Sequence, residues 1–133
     1  MHVIYRISES GYLKEKPEYV TNENCFRNAL SVFGKSQWTV IADSASEETK
    51  LLVKECSGSI KHVEIGHGAG TFNTALDIAL ELPEDEIVYF LENDYLHGHN
   101  ADRVLESAFD LEFDYATLYD HPDKYLNPFE GGN

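Results

Sequence analysis

The chain has 133 residues, 42% hydrophobic and 12% aromatic, and its 24 acidic against 10 basic side chains give a formal net charge of −14. That length suits one domain with a buried core, and the aromatic content with several apolar runs argues against disorder. Nucleic acid is nearly excluded as the main partner, because it needs a cationic track along its phosphates, and an anionic membrane surface is disfavoured for the same reason.

The longest uninterrupted apolar stretch, Ile87 to Leu91, is far short of the ~18–20 residues that span a bilayer. The opening Met1-His2-Val3-Ile4-Tyr5-Arg6 lacks the layout of a secretion signal, so the expected compartment is cytoplasmic. Two cysteines, Cys25 and Cys56, cannot build a disulfide framework and read as reduced packing residues. The acid is regional: residues 84–123 hold 12 acids and one base.

In chain order, β-branched and aromatic Val3 to Ser8 predict a first strand. Thr21 or Asn22 caps a helix with Phe26, Ala29, Leu30 and Phe33 on one face, ended by Gly34. Trp38 to Ala42 is a second strand closed by Asp43, and Ser44 with Glu47 has capping-box spacing for a helix carrying Leu51, Leu52 and Val53. A weaker third strand runs from Ile60 to Ile65. Gly66-His67-Gly68-Ala69-Gly70 leads into a helix with Phe72, Ala75, Leu76, Ala79 and Leu80 that stops at Pro83. Ile87 to Leu91 is apolar throughout, as in a central parallel strand covered on both faces, and runs into Glu92-Asn93-Asp94. A helix capped near Asn100 carries Val104, Leu105, Ala108 and Phe109, and Tyr115 to Tyr119 reads as a fifth strand ending at Asp120.

Strands alternating with helices imply right-handed crossovers. The expected fold is therefore α/β, a doubly wound, mostly parallel, Rossmann-like sheet in three α/β/α layers, formed by residues 1–133 as a single domain. Ligands of such sheets bind outside the carboxyl ends of the strands. Ser8, Asp43, Gly66, Glu92-Asn93-Asp94 and Asp120 fall there, so one crevice lined by carboxylates is predicted.

Glu92 and Asp94 lie two apart, so in extended backbone both side chains lean to one side, where they can share a hard divalent cation. An ordinary polar turn after a strand is the competing reading of equal weight. His97-Gly98-His99 offers two imidazoles without a third ligand at metal spacing and reads as an exposed loop. Gly66-x-Gly68-x-Gly70 lacks the dinucleotide fingerprint and defaults to a strand-to-helix connection, and no Walker sequence occurs. A receiver-like signalling domain needs an acidic pair after the first strand, where Arg6-Ile7-Ser8 stands instead.

The strand ending in Arg6-Ile7-Ser8, the Asp43 closing the second strand and the apolar fourth strand leading into Glu92-Asn93-Asp94 together resemble the GT-A fold of nucleotide-sugar glycosyltransferases, with Glu-x-Asp in place of the Asp-x-Asp motif. Ile87 to His97, with Leu118-Tyr119-Asp120-His121-Pro122-Asp123-Lys124-Tyr125, is most similar to the small glycosyltransferase domains of chlorella viruses and their bacterial relatives. The resemblance covers roughly residues 3–125.

It implies a transferase moving a hexose or deoxyhexose from a UDP-type donor to a glycan or lipid-linked acceptor, with Mn²⁺ or Mg²⁺ as cofactor. Asp94 would hold the metal, with Glu92 contacting the metal shell or the ribose. Arg6, Ser8 and Asp43 would line the nucleotide slot, and Gly66 to Asn73 would pass beside base and ribose. Asp120 and Asp123, with His121, are the candidates for the base that deprotonates the acceptor. Such domains usually continue past the point where this chain stops, into an acceptor-binding part. The alternative to an enzyme is therefore a non-catalytic nucleotide-sugar-binding module. The donor sugar, the acceptor, the anomeric outcome and the oligomeric state are not readable from the sequence.

Overall fold

The computed structural model describes residues 1–9, 15–111 and 113–119. The chain forms two compact units, Met1–His97 and Gly98–Asn133.

The first unit contains β1 (His2–Ser8), α1 (Asn22–Phe33), β2 (Gln37–Asp43), α2 (Glu47–Leu52), β3 (Ser59–Val63), α3 (Gly68–Leu80) and β4 (Val88–Glu92), with a single 3-10 turn, Val53–Glu55, after α2. Its four strands are all parallel, in the order β3-β2-β1-β4. The α/β architecture is compatible with a Rossmann-like fold. Among the described residues no helix is long and apolar enough to cross a membrane.

Alternation along β1 decides which helix covers which face. Val3, Tyr5 and Ile7 point one way and Ile4 the other, and all four are buried. On the Tyr5 side, α1 brings Phe26 to 5.1 Å from the Tyr5 ring, edge to face, and 6.3 Å from Trp38. Burying a side chain such as Phe26 contributes about 1.5–3 kcal/mol. On the Ile4 side, Ala75 of α3 packs with Ile4 and Ile41, flanked by Val63, Ile78, Ala79, Val88 and Phe90. Helices thus cover both faces, and the strand order reverses direction between β1 and β4.

Several sequence expectations shift in detail. Thr21 caps α1 by accepting from the Asn24 N–H at 3.1 Å. For α2 the cap is Ser46, not Ser44: the Ser46 hydroxyl accepts from Thr49 N–H at 3.2 Å, whereas Ser44 sits at φ 49° and donates to Asp43. The apolar fourth strand is an edge strand among the described residues, not a central one. Its apolar character on both faces has a direct cause, since Tyr89 meets Phe33 on α1 and Phe90 meets Phe72 on α3.

In the second unit, α4 (Ala101–Phe109) follows Asn100 as expected, with Asn100 left-handed at φ 62°. The expected fifth strand is not formed. Residues 115–119 are irregular, and the Thr117 hydroxyl accepts from Tyr119 N–H at 3.1 Å. Asp120, His121 and Asp123 lie outside the described residues.

Candidate functional site

Register places the candidate residues level with one another at the carboxyl edge of the sheet: Ser8 is opposite Asp43, and Arg6 opposite Glu92. The β1/β4 junction is the point where strand order reverses, the position at which open α/β sheets leave a crevice. Arg6 follows Ile4 on the α3 face. Its guanidinium donates to Gly68 O at 3.0 Å and Thr71 Oγ1 at 3.3 Å, pairs with Glu92, and lies 5.1 Å from the Phe72 ring centroid. A flat cation held on four sides this way is fixed in orientation. Glu92, at the end of β4, stays half-exposed.

Asp43 is differently placed. Only 1% of it is exposed, and both its oxygens are engaged: Oδ1 accepts from Ile65 N–H at 2.7 Å and from the Ser44 hydroxyl at 3.1 Å, and Oδ2 accepts from Gly66 N–H at 2.8 Å. Asp43 therefore ties down the loop between β3 and α3 and does not stand open to a ligand. The tied loop makes its turn at Gly66, whose φ of +78° suits glycine. His67 caps α3, its Nδ1 accepting from Gly70 N–H at 3.1 Å. Gly70 allows that approach, since a Cβ there would stand 2.4 Å from Ile65 Cγ2. Asn73 is exposed on the second turn of α3.

Beyond β4, Asn93 and Asp94 form a turn. Asn93 Nδ2 donates to Ser8 O at 3.0 Å and to Asn22 Oδ1 at 2.5 Å, which joins the ends of β1 and β4 to the start of α1. Asp94 Oδ2 lies 3.3 Å from Lys16 Nζ. Beneath this turn is Tyr5, fully buried, whose hydroxyl has no hydrogen-bond partner among the described residues. Burial pushes the Tyr5 phenol far up, helped by the negative charges of Cys25 and Asp94 when ionised. The buried Cys25 thiol is raised by the same burial and by Asp94, against a lowering by Lys16.

His97 is a structural pin. Its Nε2 and the Tyr89 hydroxyl are 2.8 Å apart, its backbone N–H donates to Asn28 Oδ1 at 2.7 Å, and Asn28 Nδ2 donates to its carbonyl at 3.1 Å. The ring stands edge-on to Phe33, and burial lowers its pKa from the usual 6.5. The expected exposed loop holds for His99, which is exposed, and not for His97.

Comparisons with protein-family models, with curated proteins and with solved structures found no match.

Sequence reasoning anticipated Arg6, Ser8, Asp43, Gly66, Glu92 and Asp94 at this edge. It missed Thr71, which is buried and shares Arg6 with Glu92, and Glu9, which accepts from Ser46 N–H at 3.2 Å and Thr49 Oγ1 at 2.6 Å and holds α2 beside the end of β1. Lys16 was also missed. One signal pointed to it: eight of the ten bases precede residue 84, so counter-charges for the acids after β4 must come from that part of the chain.

Proposed function

We propose that this chain binds a UDP-type nucleotide sugar at the β1/β4 junction and acts as a metal-dependent glycosyltransferase, passing a hexose or deoxyhexose to a glycan or lipid-linked acceptor. The observation that carries the reading is the convergence of Arg6, Glu92 and the first turn of α3 at the switch point of a parallel sheet. The N-terminus of α3 and the Arg6 guanidinium both present positive potential there, which suits a diphosphate. The resemblance of the Arg6-Ile7-Ser8 and Glu92-Asn93-Asp94 segments to nucleotide-sugar transferases supplies the choice of substrate.

Glu92 and Asp94 would hold Mn²⁺ or Mg²⁺. Both are hard oxygen donors, and a shared ion would have to draw Glu92 from Arg6 on the α3 side and Asp94 from Lys16 on the Tyr5 side; such an ion takes one or two carboxylates and fills its sphere with phosphate oxygens and water. No group of three His, Cys, Asp or Glu poised to hold a metal occurs among the described residues, and such an ion does not need one. When bound, the ion supplies charge neutralisation of the diphosphate and stabilisation of the leaving group. The chain's own residues do the rest of the positioning. Arg6, held at Gly68 O, Thr71 and the Phe72 ring, would offer its positive charge to the diphosphate from that fixed position, and Asp43 keeps the loop at Ile65 and Gly66 in place beside it. Cys25 and Cys56, both free and buried, support a cytoplasmic setting.

Calorimetry of UDP and UDP-sugars with and without Mn²⁺ tests the binding. Uptake that requires the metal and is lost in Asp94→Ala is expected; uptake indifferent to metal, or unchanged in that variant, overturns the reading. Donor hydrolysis or transfer by the same protein separates a transferase from a domain that only holds the nucleotide sugar.

A further inference from the structure

The two acids after β4 are both neutralised by the chain itself, and in different ways. Glu92 pairs with Arg6, which is anchored at Gly68 O, Thr71 and the Phe72 ring. Asp94 pairs with Lys16, an ammonium on a flexible stem that, among the described residues, is tied by this one ion pair. The Asp94 side chain is 27% exposed, and it stands near the buried Tyr5 and Cys25, whose ionised forms it disfavours. A carboxylate in such a place needs a counter-charge nearby, since burial of an unpaired charge is costly. Lys16 comes from 78 positions earlier in the chain, between β1 and α1. A compact ammonium on a four-carbon stem can leave by side-chain rotation alone, which a guanidinium fixed on several sides cannot do.

We propose that Lys16 is a built-in stand-in for the divalent cation: it occupies Asp94 in the ligand-free protein, and metal and ammonium compete for that carboxylate. This rests on the metal-dependent reading above. Its consequence is that Lys16 lowers affinity for the free ion, and that metal binding releases a positive side chain at the edge where the diphosphate arrives.

Binding of Mn²⁺ alone, without nucleotide, measured by calorimetry and by the spin-resonance signal of free Mn²⁺, tests the competition on the full chain. Removing a partly exposed ion pair frees roughly 0.2–1 kcal/mol, so Lys16→Met is expected to bind Mn²⁺ about 1.5- to 5-fold more tightly than the unmodified protein. Lys50→Met removes the same charge from the exposed Glu47 pair and controls for the change in net charge. Lys16→Arg should bind Mn²⁺ no more tightly than the unmodified protein, and in an Asp94→Asn background Lys16→Met should give no gain. Equal affinities for Lys16→Met and Lys50→Met, or weaker binding by Lys16→Met, overturn the competition while leaving the metal site intact. If neither the unmodified protein nor Lys16→Met binds Mn²⁺ alone, the competition falls, and the metal-dependent reading is decided separately by the calorimetry with UDP present.

Discussion

Asp43 gives the sharpest test of how the site is held. In Asp43→Ala the N–H groups of Ile65 and Gly66 lose acceptors at 2.7 and 2.8 Å, and the Ser44 hydroxyl loses one at 3.1 Å. A buried donor left unsatisfied costs about 1–3 kcal/mol, and bonds to a charged acceptor lie in the upper part of that range. Gly66 is exposed and Ile65 half-buried, so water can replace part of what is lost. The expected loss is about 2–4 kcal/mol for the pair of backbone donors. Because the chain has two compact units, a single global transition is a poor reporter. Hydrogen exchange resolved by residue is the better assay, read at Ile65 and Gly66 and along α3, with urea denaturation beside it. Faster exchange at both amides, with β1 still protected, is expected. Unchanged protection at Ile65 and Gly66, with stability altered by under about 0.5 kcal/mol, the spread of ordinary surface substitutions, would refute the view that Asp43 fixes this loop.

Other substitutions probe the packing around the site. Tyr5→Phe removes a fully buried hydroxyl that has no partner among the described residues, so urea denaturation should show stability equal to or about 1 kcal/mol above the parent; a loss of that size would reveal a partner for the hydroxyl. Gly70→Ala puts a Cβ 2.4 Å from Ile65 Cγ2 and 2.8 Å from His67 Cε1, and should cost about 1–3 kcal/mol of overpacking. A thermal midpoint equal to the parent's contradicts that clash. His97 is lowered from 6.5 by burial, so its neutral form is the one the fold favours. Its contribution to stability is present above pH ~6.5 and is lost as pH falls through the depressed folded value. NMR titration should find the ring neutral at pH 6.5, and His97→Gln should flatten the stability profile just below that pH; a ring that charges at or above 6.5 contradicts the assignment.

How much of this the residues themselves announced depends on the range of each interaction. The apolar Ile87 to Leu91 and the β-branched start at Val3 mark strands locally, because side-chain shape and alternation act within a few residues. Phe26, Ala29 and Phe33 mark the buried face of α1 for the same reason. The cap of α2 went two residues astray because Ser44 and Ser46 are equally good caps in isolation. The choice fell to Glu9, which bonds Ser46 and Thr49 from 37 and 40 positions away. The fifth strand shows how little a short aromatic and apolar run settles by itself: Tyr115 to Tyr119 has strand-like residues, yet its described backbone is irregular. At the site, sequence placed Asp43 at the strand end, yet what Asp43 holds lies 22 and 23 positions downstream. Thr71 gave no signal because Arg6 is brought to it only by the fold, and for Lys16 the charge imbalance pointed to the early bases without saying which of them meets Asp94.

That sheet order also sets a timetable for assembly. β1 pairs with β2 in register His2 to Gln37, but its other edge waits for β4, where His2 meets Val88 and Arg6 meets Glu92. Contacts so far apart in the chain close late, since their loop-closure entropy precedes their reward. During synthesis the β3-β2-β1 half can form while β4 is still unmade, with one flank of β1 open as an unpaired edge. The β1/β4 junction is completed by the last strand among the described residues, so a nascent chain that stalls before residue 88 would own three strands, the Asp43 loop and an Arg6 with no Glu92 to meet it.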